Sequence, residues 1–151
     1  MFAAYRDLFA SLSSHKVEYV AIGGFAAIAH GVPRVTVDVD LLVRATRANI
    51  ENLLLAFQDA GLGTASLTTA DDVLANEITI FKDRVRVDVQ IRTPGLTFDD
   101  AFRRRKTVRL ADGTPVYIVA VEDLIASKRA AGRPQDLEDV RLLEQVDKPK
   151  P

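Results

Sequence analysis

The chain contains no cysteine. Disulfides, thiol nucleophiles and cysteine-ligated zinc are therefore excluded, and a reducing, cytoplasmic setting fits. Histidine occurs only as His15 and His30, too far apart to suggest an imidazole metal pair. Charge of one sign is not in excess. The formal net charge of -1 supplies no global attraction for nucleic acid or for a membrane. No apolar run approaches the roughly 20 residues that span a bilayer. The N-terminus lacks a basic segment followed by an apolar one, so no signal peptide is expected. Internal repeats and low-complexity tracts are missing as well. What is present is ordinary: 151 residues, 48% hydrophobic and 27% charged, enough to build one core. We expect a single domain over residues 1–146 and a disordered tail over 147–151.

The chain is organised around Val35-Thr36-Val37-Asp38-Val39-Asp40-Leu41. Its odd positions are apolar and its even positions polar, the period of a half-buried β-strand. Side chains two apart share a face, so both carboxylates point the same way. Val85-Arg86-Val87-Asp88-Val89-Gln90-Ile91 repeats the pattern with Asp88 on the polar side. If the two strands lie near each other in one sheet, three carboxylates converge. Hard oxygen ligands on rigid strands suit Mg²⁺, which fills its remaining shell with water and substrate phosphate.

The remaining elements follow from periodicity and punctuation. Residues 2–12 read as an amphipathic helix with Phe2, Tyr5, Leu8, Phe9 and Leu12 on one face. Residues 17–22 read as a strand, Gly23-Gly24 as a sharp turn, and residues 25–30 as a short helix broken at Gly31-Val32-Pro33. Thr46 caps a helix over 47–60 that turns Ile50, Leu53, Leu54 and Phe57 inward. Residues 67–75 have no clear period and remain open between strand end, loop and helical turn. Residues 77–82 and 85–92 form a hairpin about Asp83-Arg84, and 107–110 with 116–119 form a second. Thr97 caps a short helix through Phe102. A helix over 121–131 is stopped by Gly132, and Pro134 opens a last helix to about Val146. Regular βαβ repetition is missing, so we expect an α/β (α+β) mixed β-sheet flanked by helices, not a doubly wound parallel sheet.

Gly23 and Gly24 follow a strand and precede a helix, where bare backbone N–H groups suit phosphate. Beside a pair of acids and a distant third, this layout matches two-metal phosphoryl or nucleotidyl transfer. Two stretches carry a family likeness. Ile22-Gly23-Gly24-Phe25-Ala26 with His30-Gly31-x-x-Arg34-x-Thr36-x-Asp38-x-Asp40-Leu41 resembles the minimal nucleotidyltransferases of the DNA polymerase beta superfamily, most closely the AbiEii-like branch that includes toxins of toxin–antitoxin systems. Glu122-Asp123-Leu124-Ile125-x-x-Lys128-x-x-Ala131-Gly132-Arg133-Pro134-x-Asp136-Leu137-x-Asp139 is similar to the same branch.

The resemblance implies a nucleotidyltransferase fold and an enzyme moving NMP from an NTP to an acceptor hydroxyl, RNA or protein, in a toxin–antitoxin or defence context. It implies two Mg²⁺ ions on Asp38, Asp40 and Asp88, and triphosphate contacts from Gly23, Gly24 and Lys128, with Asp136 the acid of the C-terminal motif. Arg34 and Thr36, just ahead of the acids, and Arg133 join the nucleotide-binding candidates. Partners would be an NTP, an acceptor, a cognate antitoxin or toxin, or a second copy in a homodimer, with no membrane. Many members of the superfamily carry Gly-Ser at the turn; here Phe25 follows Gly24, so backbone groups would have to hold the phosphate. The alternative is a catalytically inactive member acting as an antitoxin or interaction module; an enzyme acting on small molecules such as aminoglycosides is a third reading.

Plainer readings stand beside these. A lone Asp-x-Asp also suits a solvated edge strand, and Asp88 an exposed strand acid. A glycine pair is often only a turn. Lys128 and Arg133 near a helix C-terminus, and Asp136 and Asp139 near the next N-terminus, are explained by the macrodipole. His30 suits a capping role. The run Arg103-Arg104-Arg105-Lys106 reads as a solvated face or as a steering patch for RNA.

Overall fold

The computed structural model describes residues 2–36 and 38–146. The side chain of Phe2, the strand position Val37 and the tail 147–151 lie outside the described residues. In chain order the elements are α1 (Phe2–Ser14), β1 (Tyr19–Ile22), α2 (Gly23–Ala29), β2 (Asp38–Val43), α3 (Arg47–Asp59), a 3-10 turn (Gly63–Leu67), α4 (Ala70–Ala75), β3 (Ile78–Lys82), β4 (Arg86–Gln90), α5 (Phe98–Arg103), β5 (Lys106–Arg109), β6 (Pro115–Ile118), α6 (Val121–Ala131) and α7 (Pro134–Val146).

The six strands form one mixed sheet in the order β3-β4-β2-β1-β6-β5. β2 runs parallel to β4 and β1 parallel to β6, while the other neighbours are antiparallel. Two hairpins, β3–β4 and β5–β6, therefore flank a central pair joined through α2. Alternation decides the faces. Val87 and Val89 of β4 are buried, whereas Arg86, Asp88 and Gln90 between them are only half-buried. Helix α3 covers the apolar face. Its Ile50, Leu53, Leu54 and Phe57 are all buried, and Phe57 meets Phe81 of β3 edge-on at 5.0 Å. Helix α1 adds Leu8, Phe9 and Leu12 to the same core. On the polar face, α6 and α7 stand over the sheet and leave a cleft.

Asn49, in the first turn of α3, locks this arrangement. The Thr46 hydroxyl accepts from its N–H at 3.2 Å. Its buried amide accepts from the Glu18 N–H at 2.8 Å and donates to the carbonyls of Glu18 and Arg44, each at 3.0 Å. The chain entering β1 and the chain leaving β2 are thus tied to one helix.

Two element starts shift, and one open stretch is resolved. The strand expected from Val35 begins at Asp38, and Val35 is 86% exposed. Its neighbour strand is the reason: β4 begins at Arg86, opposite Asp38, so Val35 and Thr36 have no ladder to join. The expected sharp turn falls at Gly23, whose φ is +67°, and α2 is counted from that residue, two earlier than expected. The open stretch 67–75 resolves into the end of the 3-10 turn and α4, which Thr69 caps by accepting from the Asp72 N–H. The basic run is largely engaged. Arg103 and Arg104 are paired with Asp100 and Asp123, and the Arg105 guanidinium lies over the Phe102 ring at 3.9 Å.

Candidate active site

The cleft is built on strand register. β2 and β4 pair with Asp38 opposite Arg86 and Asp40 opposite Asp88. In a parallel pair, residues side by side share a face, so Asp38, Asp40 and Asp88 lie together on the polar side. The alternation in the two stretches foreshadowed this arrangement, and the parallel ladder makes it contiguous. Ile22, the last residue of β1, pairs with Asp40 on its other flank, which brings the start of α2 directly beside that carboxylate.

Gly23 is required there. Its φ is +67°, and a Cβ on it would fall 2.9 Å from Cγ of Asp40 and closer still to Oδ2. A side chain would face both a left-handed backbone and the carboxylate itself. Gly24 lies against the Arg34 guanidinium, 3.2 Å from where its Cβ would be. The N-terminus of α2 receives no side-chain cap, so its first N–H groups remain available to an acceptor. Phe25, which follows the glycine pair, stacks on Phe9 at 5.6 Å and packs, partly buried, against the core.

The opposite wall comes from α6 and α7. Lys128 is only 5% exposed, against the solvated reading of its helix position, and its Nζ donates to Asp139 at 2.8 Å with Asp136 at 3.7 Å. Asp139 is fully buried and also accepts from Arg34 at 2.6 Å and from Gln135 at 3.1 Å. Asp136 accepts from the Arg133 side chain at 2.6 Å and from its backbone N–H at 3.2 Å. That second bond satisfies the first turn of α7 in the manner of a capping box. Burial pushes the Asp136 carboxyl upward, but the bond from Arg133 and the charges of Arg133 and Lys128 outweigh it and hold it below its ordinary value.

All ten residues predicted for the site, Gly23, Gly24, Arg34, Thr36, Asp38, Asp40, Asp88, Lys128, Arg133 and Asp136, line one cleft of about 580 Å³. Thr36 accepts from the Asp38 N–H at 3.4 Å and so shapes the entry to β2. Two participants were missed. Arg86 donates to Asp88 at 3.1 and 3.4 Å and stands 3.6 Å from Asp38; the period of two already placed it on the acidic face. Asp139 lies behind the cleft. It figured in the C-terminal motif, but its spacing from Asp136 gave no sign that it would receive Arg34 from the other end of the chain.

The donor set fits a hard divalent cation. Asp38 Oδ1 is buried and accepts no hydrogen bond among the described residues; the Arg86 guanidinium 3.6 Å away offsets only part of the cost of that state. Asp40 is pushed up to about 6, first by burial and then by the charges of Asp88 and Asp38. Acids forced together in this way hold protons until a cation replaces them. Among the described residues no three acidic or imidazole groups are already drawn into a closed metal cage; the Asp88 carboxylate is turned onto Arg86. No described helix is long and apolar enough to cross a membrane.

No protein of curated function matches the chain. The model of a family described as "Nucleotidyltransferase of unknown function (DUF6036)" matches residues 3–149. The six-stranded mixed sheet flanked by helices is compatible with a nucleotidyltransferase fold, and the match covers nearly the whole sequence, so the chain belongs to this nucleotidyltransferase family.

Proposed function

We propose that the protein transfers a nucleoside monophosphate from an NTP to an acceptor hydroxyl, on RNA or protein, with release of pyrophosphate. One observation carries the reading: three carboxylates in register on β2 and β4, one with an orphaned buried oxygen, face a wall that holds Arg34, Lys128 and Arg133. Asp38, Asp40 and Asp88 would hold two Mg²⁺ ions. Bound there, the ions would supply Lewis acidity at the α-phosphate and lower the pKa of the acceptor hydroxyl. The chain's own groups do the rest. The uncapped N–H groups at the start of α2 and the cationic wall attract and orient the triphosphate. Gly23 lets the phosphates and Asp40 approach the same backbone without a side chain between them. Asp139 keeps Arg34 and Lys128 aimed along the wall. The AbiEii-like motif at both ends of the chain supports a toxin–antitoxin or defence setting for this activity, with a cytoplasmic location and a cognate partner protein.

A second reading has its own observation. Phe25 packs against the core where a phosphate-binding serine would be expected, and Lys128 is committed to Asp139. These suit a member that keeps the fold and works as an antitoxin or interaction module.

Calorimetric titration of MgATP, MgGTP, MgCTP and MgUTP separates the two. The wild type is expected to bind at least one in the micromolar range, and the Asp38→Asn/Asp40→Asn variant none. A folded wild type that binds none of the four would overturn the enzyme reading in favour of the module.

A further inference from the structure

Four cationic side chains line the cleft: Arg34, Arg86, Lys128 and Arg133. Three are held by acids of α7, outside the carboxylate cluster: Arg34 and Lys128 by Asp139, Arg133 by Asp136. Arg86 differs. Its guanidinium reaches Asp88 through two nitrogens, at 3.1 and 3.4 Å, and stands 3.6 Å from the orphaned Oδ1 of Asp38. Its partners are the carboxylates themselves.

We propose that Arg86 is a built-in counter-ion of the acidic cluster that divalent cations must displace, and that it is then redeployed onto the triphosphate. The inference rests on the metal–nucleotide reading of the cleft. Three carboxylates on adjacent strands repel one another at a cost that grows with burial. A guanidinium spreads one positive charge over a planar fork and is less strongly hydrated than an ammonium, so it can sit among carboxylates cheaply. It neutralises only part of the cluster. Asp38 Oδ1 stays without a hydrogen bond because the Arg86 fork is turned to Asp88. A divalent ion brings twice the charge in a smaller radius and would take Asp38 and Asp88 together.

Arg86 then loses its acceptors. Its side chain is 37% exposed and is rooted on β4 within the cleft, so the released charge stays where phosphate oxygens would lie. Metal and triphosphate thereby support each other: the ion frees the arginine, and the phosphates give it new acceptors. Metal alone must bind against the arginine and is therefore weak.

The test uses Arg86→Gln and Arg86→Lys beside the wild type, with Asp38→Asn as the site control and circular dichroism to verify folding. Mn²⁺ without nucleotide is followed by the electron-spin resonance of the free ion. Arg86→Gln is expected to bind Mn²⁺ about tenfold more tightly than wild type, the factor that 1.4 kcal/mol of lost competition provides. Arg86→Lys, with a shorter reach and no fork, should fall between them. Magnesium tripolyphosphate, followed by calorimetry, should show the opposite order, with Arg86→Gln weaker than wild type. A merely structural arginine cannot move the two affinities in opposite directions. Equal or weaker Mn²⁺ binding by Arg86→Gln, in a protein whose wild type binds and whose Asp38→Asn does not, overturns the inference and leaves the metal site standing. Absence of Mn²⁺ binding in every folded variant overturns both.

Discussion

At the scale of single residues, Asp40 carries the clearest consequence. Its carboxyl is raised from 3.8 to about 6, by burial first and by Asp88 and Asp38 next. A carboxyl with a higher folded pKa is favoured by folding in its protonated form. The stability it contributes is therefore full below about pH 4 and is lost as pH rises through about 6. Asp40→Asn removes the charge without removing the volume. It is expected to stabilise the cation-free protein at pH 8 by up to about 3 kcal/mol, a gain that shrinks towards zero near pH 4. Urea unfolding at a series of pH values, in the presence of a chelator, measures it. A flat difference across that range would mean that the acids are well solvated. The same sign governs ligands: a divalent cation needs the ionised form, so its binding to the wild type should weaken as pH falls through about 6.

At the scale of elements, the cleft depends on where β2 lies relative to β1 and α3, and Asn49 sets this. Its side chain satisfies one backbone N–H and two carbonyls from the two strands' flanks. Asn49→Ala would take that partner from the Glu18 N–H and the Arg44 carbonyl, while the Glu18 carbonyl keeps the Arg44 N–H at 3.2 Å, at a cost of about 2 kcal/mol. Urea unfolding of the variant against wild type checks this; a loss below about 0.5 kcal/mol would mean that water replaces the amide. The C-terminal elements are punctuated as their residues require. Gly132 ends α6 in the left-handed conformation with φ +69°, its N–H bonded to the Lys128 carbonyl, and Pro134 opens α7. That tight corner lets α7 fold back along α6 and deliver Asp136 and Asp139 to the cleft.

At the scale of the whole molecule, Asp139 joins the two halves of the sequence. It receives Arg34 from the segment before β2 and Lys128 from α6 while fully buried itself. Removing it leaves Lys128 buried with only the more distant Asp136. Asp139→Ala is expected to lose about 3–5 kcal/mol. Lys128→Met in the same chain should recover much of this loss, because the uncompensated charge is gone. The double-mutant cycle, measured by urea unfolding, is the check; strict additivity would show that the pair is solvated and uncoupled. Arg34 and Lys128 come from distant parts of the sequence, and one oxygen of Asp139 holds them together on the same wall of the cleft.

Much of this protein follows from local chemistry. Alternation at Asp38, Asp40 and Asp88, helical spacing in α3, the Thr46 and Thr97 caps, and the stops at Gly31 and Gly132 each depend on residues within a turn or two of one another. A linear reading captures interactions of that range. Lys128, Arg133 and Asp136 were placed beside the acids by the family resemblance and not by local chemistry; they line the cleft with the acids, as does Arg86, which was missed. The rest was decided by pairing between distant segments. That β2 runs beside β4 in parallel, with Asp40 against Asp88, depends on strand order. That β2 begins at Asp38 and not at Val35 depends on where its neighbour begins. That Lys128 is a buried ion partner and not a solvated cation depends on Asp139 arriving from α7. That Arg86 occupies the acidic cluster depends on the two strands being side by side. Register and burial are properties of contacts between residues far apart in the chain, and hydrophobic periodicity carries no term for them.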